Sequence, residues 1–328
     1  MDMTADKDRG LLFAYVLDGE GSGREVGWSE IKTWSSEDGI LWIHLDGTSP
    51  DTESWLLDES GLDEVACEVL LAGEVRPRVV VSKEGVLVIL RGINLNPGAD
   101  PEDMVSIRMW IDTHRIITSL RRKVLSVEDL RTSVNKGSGP TSTGEFVTTL
   151  ADRLVERMAD VIDEIDDSVS RLEEEVMHGE PSELRERLGS IRRQVISLRR
   201  FLAPQREALG RLQSESIPWL TDTDRTRLRE IADRTVHFIE ALDVSRDLAA
   251  VAQEELHSRL SEQLEKRMYT IAIIMAIFLP LTFITGLLGI NVAGIPGANS
   301  PWGFIGVLGV LILILTGQIG ILKKKKWF

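Results

Sequence analysis

Cysteine is nearly missing from this chain. Its 328 residues include one, Cys67, so no disulfide can form within the chain, and a reducing compartment is expected for its soluble part. The first 120 residues contain neither a Gly-rich phosphate loop nor a Gly-x-Ser-x-Gly elbow, which leaves no local sign of nucleotide binding or hydrolysis. The five histidines, His44, His114, His178, His237 and His257, include no pair at i, i+4. On a helix, His237 and His257 point about 200° apart and cannot share a metal within one chain. No catalytic constellation emerges, so no enzyme and no cofactor are expected. The largest absence is of charge: the 55 residues from Met268 to Leu322 contain no Asp, Glu, Lys, Arg or His.

That uncharged stretch belongs in lipid, because a globular surface almost never runs so far without a charge. It holds two apolar segments, Met268 to Val292 and Trp302 to Leu322. At about 1.5 Å per residue each exceeds the roughly 30 Å thickness of the hydrocarbon core. The preceding 267 residues hold 34 basic against 52 acidic residues, a formal charge of −18, and the remaining basic residues are Lys323 to Lys326. Lysines abutting a span mark the cytoplasmic side. Two spans return the chain to the side it left, so body and tail are expected in the cytoplasm with only Ala293 to Pro301 outside. The N-terminal MDMTADKDRG is acidic where a signal peptide needs positive charge.

The first 120 residues mix β-rich runs with helical ones. Leu11 to Leu17, Ile40 to Leu45, Arg78 to Ser82, Val86 to Gly92, Met104 to Ile111 and Arg115 to Leu120 have the composition and bounding turns of strands, while Pro50 to Glu59 and Asp63 to Ala72 suit helices. This predicts an α+β domain over residues 1–140, closed by the linker-like Lys136-Gly-Ser-Gly-Pro140. Beyond it the chain becomes helical. Phe146 to Met177 carries apolar residues at nearly every third or fourth position, and Ser182 to Leu212 follows as a second helix that Pro204 is expected to interrupt. The two predict an antiparallel helical hairpin over 141–220.

Thr221-Asp222 forms a plausible N-cap, after which no proline or glycine occurs before Pro280. A helix over 221–292 would run unbroken into the first span and measure about 100 Å, too long for one core to cover. Its apolar positions, among them Leu228, Ile231, Leu242, Leu256 and Leu264, shift too much for a strict dimeric coiled coil. They suit a helix packed on its own body and on identical neighbours. Residues 293–301, 302–322 and 323–328 are then the outer loop, the second span and a basic tail.

At the outer end of the first span stands Gly286-Leu-Leu-Gly-Ile-Asn-Val-Ala-Gly-Ile-Pro-Gly297. With this architecture it resembles the CorA family of divalent-cation transporters, and Gly289-Ile290-Asn291 in place of Gly-Met-Asn resembles the family's zinc-transporting ZntB branch. The resemblance covers the whole chain. It implies a CorA-like funnel, a homopentamer in a bacterial inner membrane, a pore lined by the first span, and an Asn291 ring at its outer mouth. An asparagine carbonyl is a neutral hard oxygen that accepts hydrogen bonds from water already bound to an ion. Read alone, the triplet favours Asn291 as a C-terminal cap in a polar loop, and the whole-chain architecture reverses that preference.

The resemblance also implies that Thr282 and Leu279 face the pore, and Met275, Ile271 and Met268 continue roughly the same helical face. Thr282 offers a hydroxyl unless it bonds its own preceding turn, and the others would form hydrophobic rings. Neither span contains Asp, Glu, His, Lys, Arg or Cys, so no proton relay or dehydrated thiolate and imidazole zinc site can be built there. The ion is expected to cross largely hydrated, and any proton coupling must use the cytoplasmic body. Glu254, Glu255, Glu262 and Glu265 are expected to draw cations to the inner mouth. The outer loop has no carboxylate to do the same outside. A magnesium or cobalt channel of the same fold is the nearest alternative, and a membrane-tethered metal sensor or scaffold is an alternative of another class. No nucleic-acid partner is expected.

Overall fold

The computed structural model describes residues 10–177, 179–290, 295 and 300–324, so that His178, Asn291 and residues 325–328 lie outside the described residues. The chain forms two compact units, Met1–Gln253 and Glu254–Phe328.

The first unit is built on a seven-stranded sheet. In chain order its strands are β1 (Leu11–Leu17), β2 (Gly23–Glu25), β3 (Ile40–Asp46), β4 (Arg78–Val81), β5 (Val86–Gly92), β6 (Val105–Ile111) and β7 (Arg115–Leu120). They are arranged β2-β1-β3-β7-β6-β5-β4. β3 and β7 pair in parallel, with Leu41 opposite Arg115 and Asp46 opposite Leu120, and every other pair is antiparallel. All seven residues of β5 are buried, as expected for a strand covered on both faces.

Two cores flank the sheet. On one face α1 (Trp28–Ile31), α2 (Pro50–Asp58) and α3 (Glu64–Leu71) enclose Ile43, Leu45, Leu56, Leu70, Ile89 and Trp110. The Asp63 carboxylate caps α3 by accepting from Ala66 N at 2.6 Å. On the other face Trp42 is fully buried, edge-on to Phe13 at 5.0 Å and to Phe146 at 4.9 Å. This core takes residues from α4 (Leu125–Asn135), α5 (Thr143–Glu156), the end of α7 (Pro181–Ser214) and the start of α8 (Asp222–Leu288), so residues on both sides of position 140 share it.

Several expectations need revision. Phe146 to Met177 is two helices, α5 and α6 (Ala159–Glu175), separated by a turn at Arg157 and Met158. No breaker residue stands there. The two halves have different partners: Phe146, Leu150 and Leu154 join the sheet's core, whereas Ile162, Ile165 and Val169 are buried on α6, which packs against α7. Pro204 does not interrupt α7, which runs through it with Phe201, Leu202, Ala208, Leu209 and Leu212 buried on either side. Packing here outweighs the missing N–H. Residues 136–140 are no free linker, because Gly139 N donates to Gly21 O at 2.7 Å and Gly137 N to Val134 O at 3.1 Å.

The entry to α8 is a reciprocal capping box. Thr221 N donates to Asp224 Oδ2 at 3.0 Å, and Asp224 N donates to Thr221 Oγ1 at 3.2 Å. Ion pairs of Arg227 with Glu145, Arg234 with Asp152 and Arg199 with Asp243 fasten the first part of α8 to α5 and α7.

Candidate functional site

The second unit contains the C-terminal part of α8 and α9 (Gly303–Lys324), which among the described residues are the two helices long and apolar enough to cross a membrane. At about 100° per residue, Met268, Ile271, Met275, Leu279 and Thr282 fall within an arc of about 80° on α8. All five are exposed in the single chain. Met275, Leu279 and Thr282 line one concavity of about 460 Å³, together with Ile274, Phe278 and Phe283. Met268 and Ile271 continue the stripe on earlier turns and do not line it.

Thr282 is the one polar side chain in that lining. Threonines in apolar helices usually return their hydroxyl to the preceding turn. Thr270 Oγ1 does so to Lys266 O at 2.9 Å, Thr285 Oγ1 to Thr282 O at 3.1 Å, and Thr316 Oγ1 to Ile312 O at 2.9 Å. Thr282 Oγ1 has no hydrogen-bond partner among the described residues. Its hydroxyl remains available to whatever occupies the concavity.

α8 contains a proline, and proline removes the donor for the carbonyl four residues earlier. Pro280 therefore deprives Ala276 of its usual bond. Gln318 of α9 supplies the replacement, its Nε2 donating to Ala276 O at 3.3 Å, while its Oε1 is buried without a partner among the described residues. In hydrocarbon no water can do this, so the amide ties the two apolar helices of one chain together. Sequence reading overlooked Gln318; the signal was a lone amide in an apolar helix, legible only once paired with a proline in another.

α8 ends at Leu288, short of the helix expected over 221–292. Gly289 follows, its N–H donating to Thr285 O at 3.0 Å. A Cβ there would lie 3.1 Å from the same carbonyl, so a larger residue would crowd the turn. Ile290 is half exposed, and Asn291 lies outside the described residues.

Glu254, Glu255, Glu262 and Glu265 are all exposed on α8. Among the described residues no group of three or more His, Cys, Asp or Glu is placed to hold a metal, so these four form no chelating site within one chain. Their contribution is charge on a helix surface. His44 is withdrawn from any exposed role. Burial, with a smaller contribution from the Arg131 charge and against the opposing Asp46, lowers its pKa to about 3. The Thr118 hydroxyl donates to Ile43 O and accepts from Trp42 Nε1 at 3.0 Å, which leaves His44 Nδ1, 2.7 Å away, as a second donor to it. The imidazole is neutral and structural.

The chain as a whole is similar to known proteins. The model of the CorA-like Mg2+ transporter protein family matches residues 37–324. The chain is 39% identical over 325 residues to the divalent cation transporter CmaX of Pseudomonas aeruginosa, covering 98% of this chain and 97% of that one. It is 36% identical over 319 residues to the zinc transport protein ZntB of Pectobacterium atrosepticum, covering 97% and 96%. The solved structure of full-length CmaX matches with a TM-score of 0.83 at 38% identity, over 97% of this chain and 98% of that chain. With β3 to β7, the long helix and both apolar helices inside the region that the family model matches, and with full-length similarity to CmaX, the chain belongs to the CorA-like Mg2+ transporter family.

Proposed function

We propose that this protein transports divalent cations, with zinc as its preferred cargo, through a homo-oligomeric pore lined by the C-terminal part of α8. The observation that carries the reading is the stripe through Met275, Leu279 and Thr282, apolar except for one hydroxyl that its own helix does not claim. A pore wall of this kind has no carboxylate, thiolate or imidazole with which to strip water from an ion. The cation crosses largely hydrated. Rings of Leu279, Met275, Ile271 and Met268 close the path by excluding water when they approach, and Thr282 offers one polar contact along it. Asn291, with Gly289 and Ile290 before it, forms the outer mouth, where its amide oxygen accepts from the ion's own water shell.

The exposed apolar faces of α8 and α9 need cover from lipid and from copies of the same chain. Five copies in a bacterial inner membrane, with both termini in the cytoplasm, satisfy the family resemblance and the Lys323 to Lys326 flank. Glu254, Glu255, Glu262 and Glu265 then concentrate cations at the inner mouth. Where a proton gradient drives flux, the titrating groups lie outside the spans, and His44 is not among them. The relatives named for zinc transport support the choice of cargo. The family's own description names Mg2+, and CmaX is named for divalent cations in general, which supports a magnesium or cobalt channel as the second reading.

Flux into sealed vesicles reconstituted with wild type and with Asn291→Ala, under zinc, magnesium, cobalt and pH gradients, tests the reading. Saturable zinc flux exceeding magnesium flux and lost in Asn291→Ala is expected. Magnesium or cobalt exceeding zinc selects the second reading, and equal zinc flux with and without a pH gradient removes proton coupling. Wild type that binds metal yet passes none would leave a sensor or scaffold.

A further inference from the structure

The first unit has a cavity of about 460 Å³ that the transport reading does not use. β3, β5 and β7 run in one direction, and their carboxyl ends open onto it, where ligands of open α/β sheets tend to bind. Five arginines line it: Arg91, Arg108, Arg121, Arg122 and Arg200. Among the described residues only Arg122 of these five has a carboxylate partner, Asp103. Arg91 gives its donors to the carbonyls of Val75 and Met104, and Arg121 gives Nη1 to those of Gly47 and Leu71. Among the described residues Arg91, Arg108, Arg121 and Arg200 form no ion pair.

Arg108 is the extreme case. It is fully buried, donates from Nη2 to Gly73 O, and has no partner for Nε or Nη1 among the described residues. Ser119, opposite it in the β6 and β7 register, has a buried hydroxyl that also lacks a partner. Burial, and then the like charges of Arg121 and Arg91, lower the Arg108 pKa to about 10, and no acidic group offsets them. A buried cation without a counter-charge is expensive, as are buried donors without acceptors. Four carboxylates line the cavity: Asp103 pairs with Arg122, and Glu74, Asp100 and Glu102 are exposed or half-exposed and form no ion pair with Arg108.

We propose that this cavity is a binding site for a phosphate-type oxyanion, either inorganic phosphate or the phosphate end of a small soluble molecule. Guanidinium forks match the oxygens of a tetrahedral anion. Exposed Arg121 and Arg200 are its direct ligands, and Arg108 supplies positive charge from beneath. Phe201, whose ring lies 3.8 Å under the Arg91 guanidinium and 5.3 Å from that of Arg200, fixes the wall that α7 contributes.

The test uses the full chain in detergent, with calorimetric titration and thermal unfolding in inorganic phosphate, in pyrophosphate, and in chloride at matched ionic strength. Saturable binding of phosphate or pyrophosphate is expected, with an unfolding midpoint above that in chloride. The tighter of the two tells free phosphate from a phosphorylated molecule. Arg121→Gln with Arg200→Gln, both at exposed positions, should weaken binding roughly tenfold or more. Arg108→Met should abolish the phosphate-dependent rise while leaving the midpoint in chloride unchanged or higher, because it removes an unpaired charge. Identical behaviour in phosphate, pyrophosphate and chloride overturns the proposal. So does binding that survives undiminished in the Arg121 and Arg200 double variant.

Discussion

The two units solve the problem of apolar surface in opposite ways. In the first, β5 buries all seven residues and Trp42 is enclosed between a sheet and a helix of the same chain. In the second, Met268 is 71% exposed, Leu279 64% and Phe283 68%, on a helix with no polar face to turn outward. One unit covers its apolar surface within a single chain, and the other leaves its apolar surface exposed. Substitutions in the first should therefore register as folding energy, and those in the second as assembly and transport.

The largest effect is expected from Trp42→Ala, which removes the side chain joining Phe13 to Phe146. It should cost about 3–5 kcal/mol of first-unit stability. Chemical unfolding followed by intrinsic fluorescence measures this, and a loss below about 1 kcal/mol would contradict the packing described. The C-terminal helices should keep their helicity in detergent.

A middle-sized effect concerns pH. The folded His44 pKa of about 3 lies below the ordinary histidine value, so between the two the unfolded chain binds a proton that the fold refuses. His44 thus contributes stability that is fully present above about pH 6.5 and is lost as pH falls, at about 1.4 kcal/mol per pH unit. Glu30, Asp103 and Glu145, held below the usual carboxylate range chiefly by side-chain hydrogen bonds from Arg24, Arg122 and Thr141, add their own acid loss at lower pH. Unfolding free energies between pH 6.5 and 5 should show a slope that His44→Gln reduces. An unchanged slope would place the titration on other groups.

The smallest effect expected in folding terms is that of Gln318→Leu, about 1–2 kcal/mol, from the orphaned Ala276 carbonyl. Its signature distinguishes the units: thermal dissociation of the proposed oligomer in detergent should move to lower temperature, while first-unit unfolding should stay fixed. A shift in the first unit instead would break the division drawn above.

How much of this could be read from residues alone followed the same divide. Val86 to Gly92 and Arg115 to Leu120 were legible to the residue because apolar runs were bounded by turns. β2 escaped notice because three residues, Gly-Arg-Glu, carry no alternation. α4 was passed over although Val127, Leu130 and Val134 stand at helical spacing. Pro204 misled because propensity is local and packing is not. In the second unit the stripe was picked out by family resemblance and extended along one helical face by spacing, but the untethered Thr282 hydroxyl depends on hydrogen bonds that spacing does not encode. The arginine cavity draws on residues from Thr48 to Phe201, brought together by sheet topology and by the packing of α7 on β4 and β5.

The bond from Gln318 to Ala276 also bears on biogenesis. A ribosome delivers α8 to the bilayer first, with a carbonyl that lipid cannot satisfy, and the amide that answers it arrives about forty residues later. The first span is thus expected to settle in hydrocarbon only once the second has been made, so that the pair enters the membrane as a hairpin and the two helices never become independent parts.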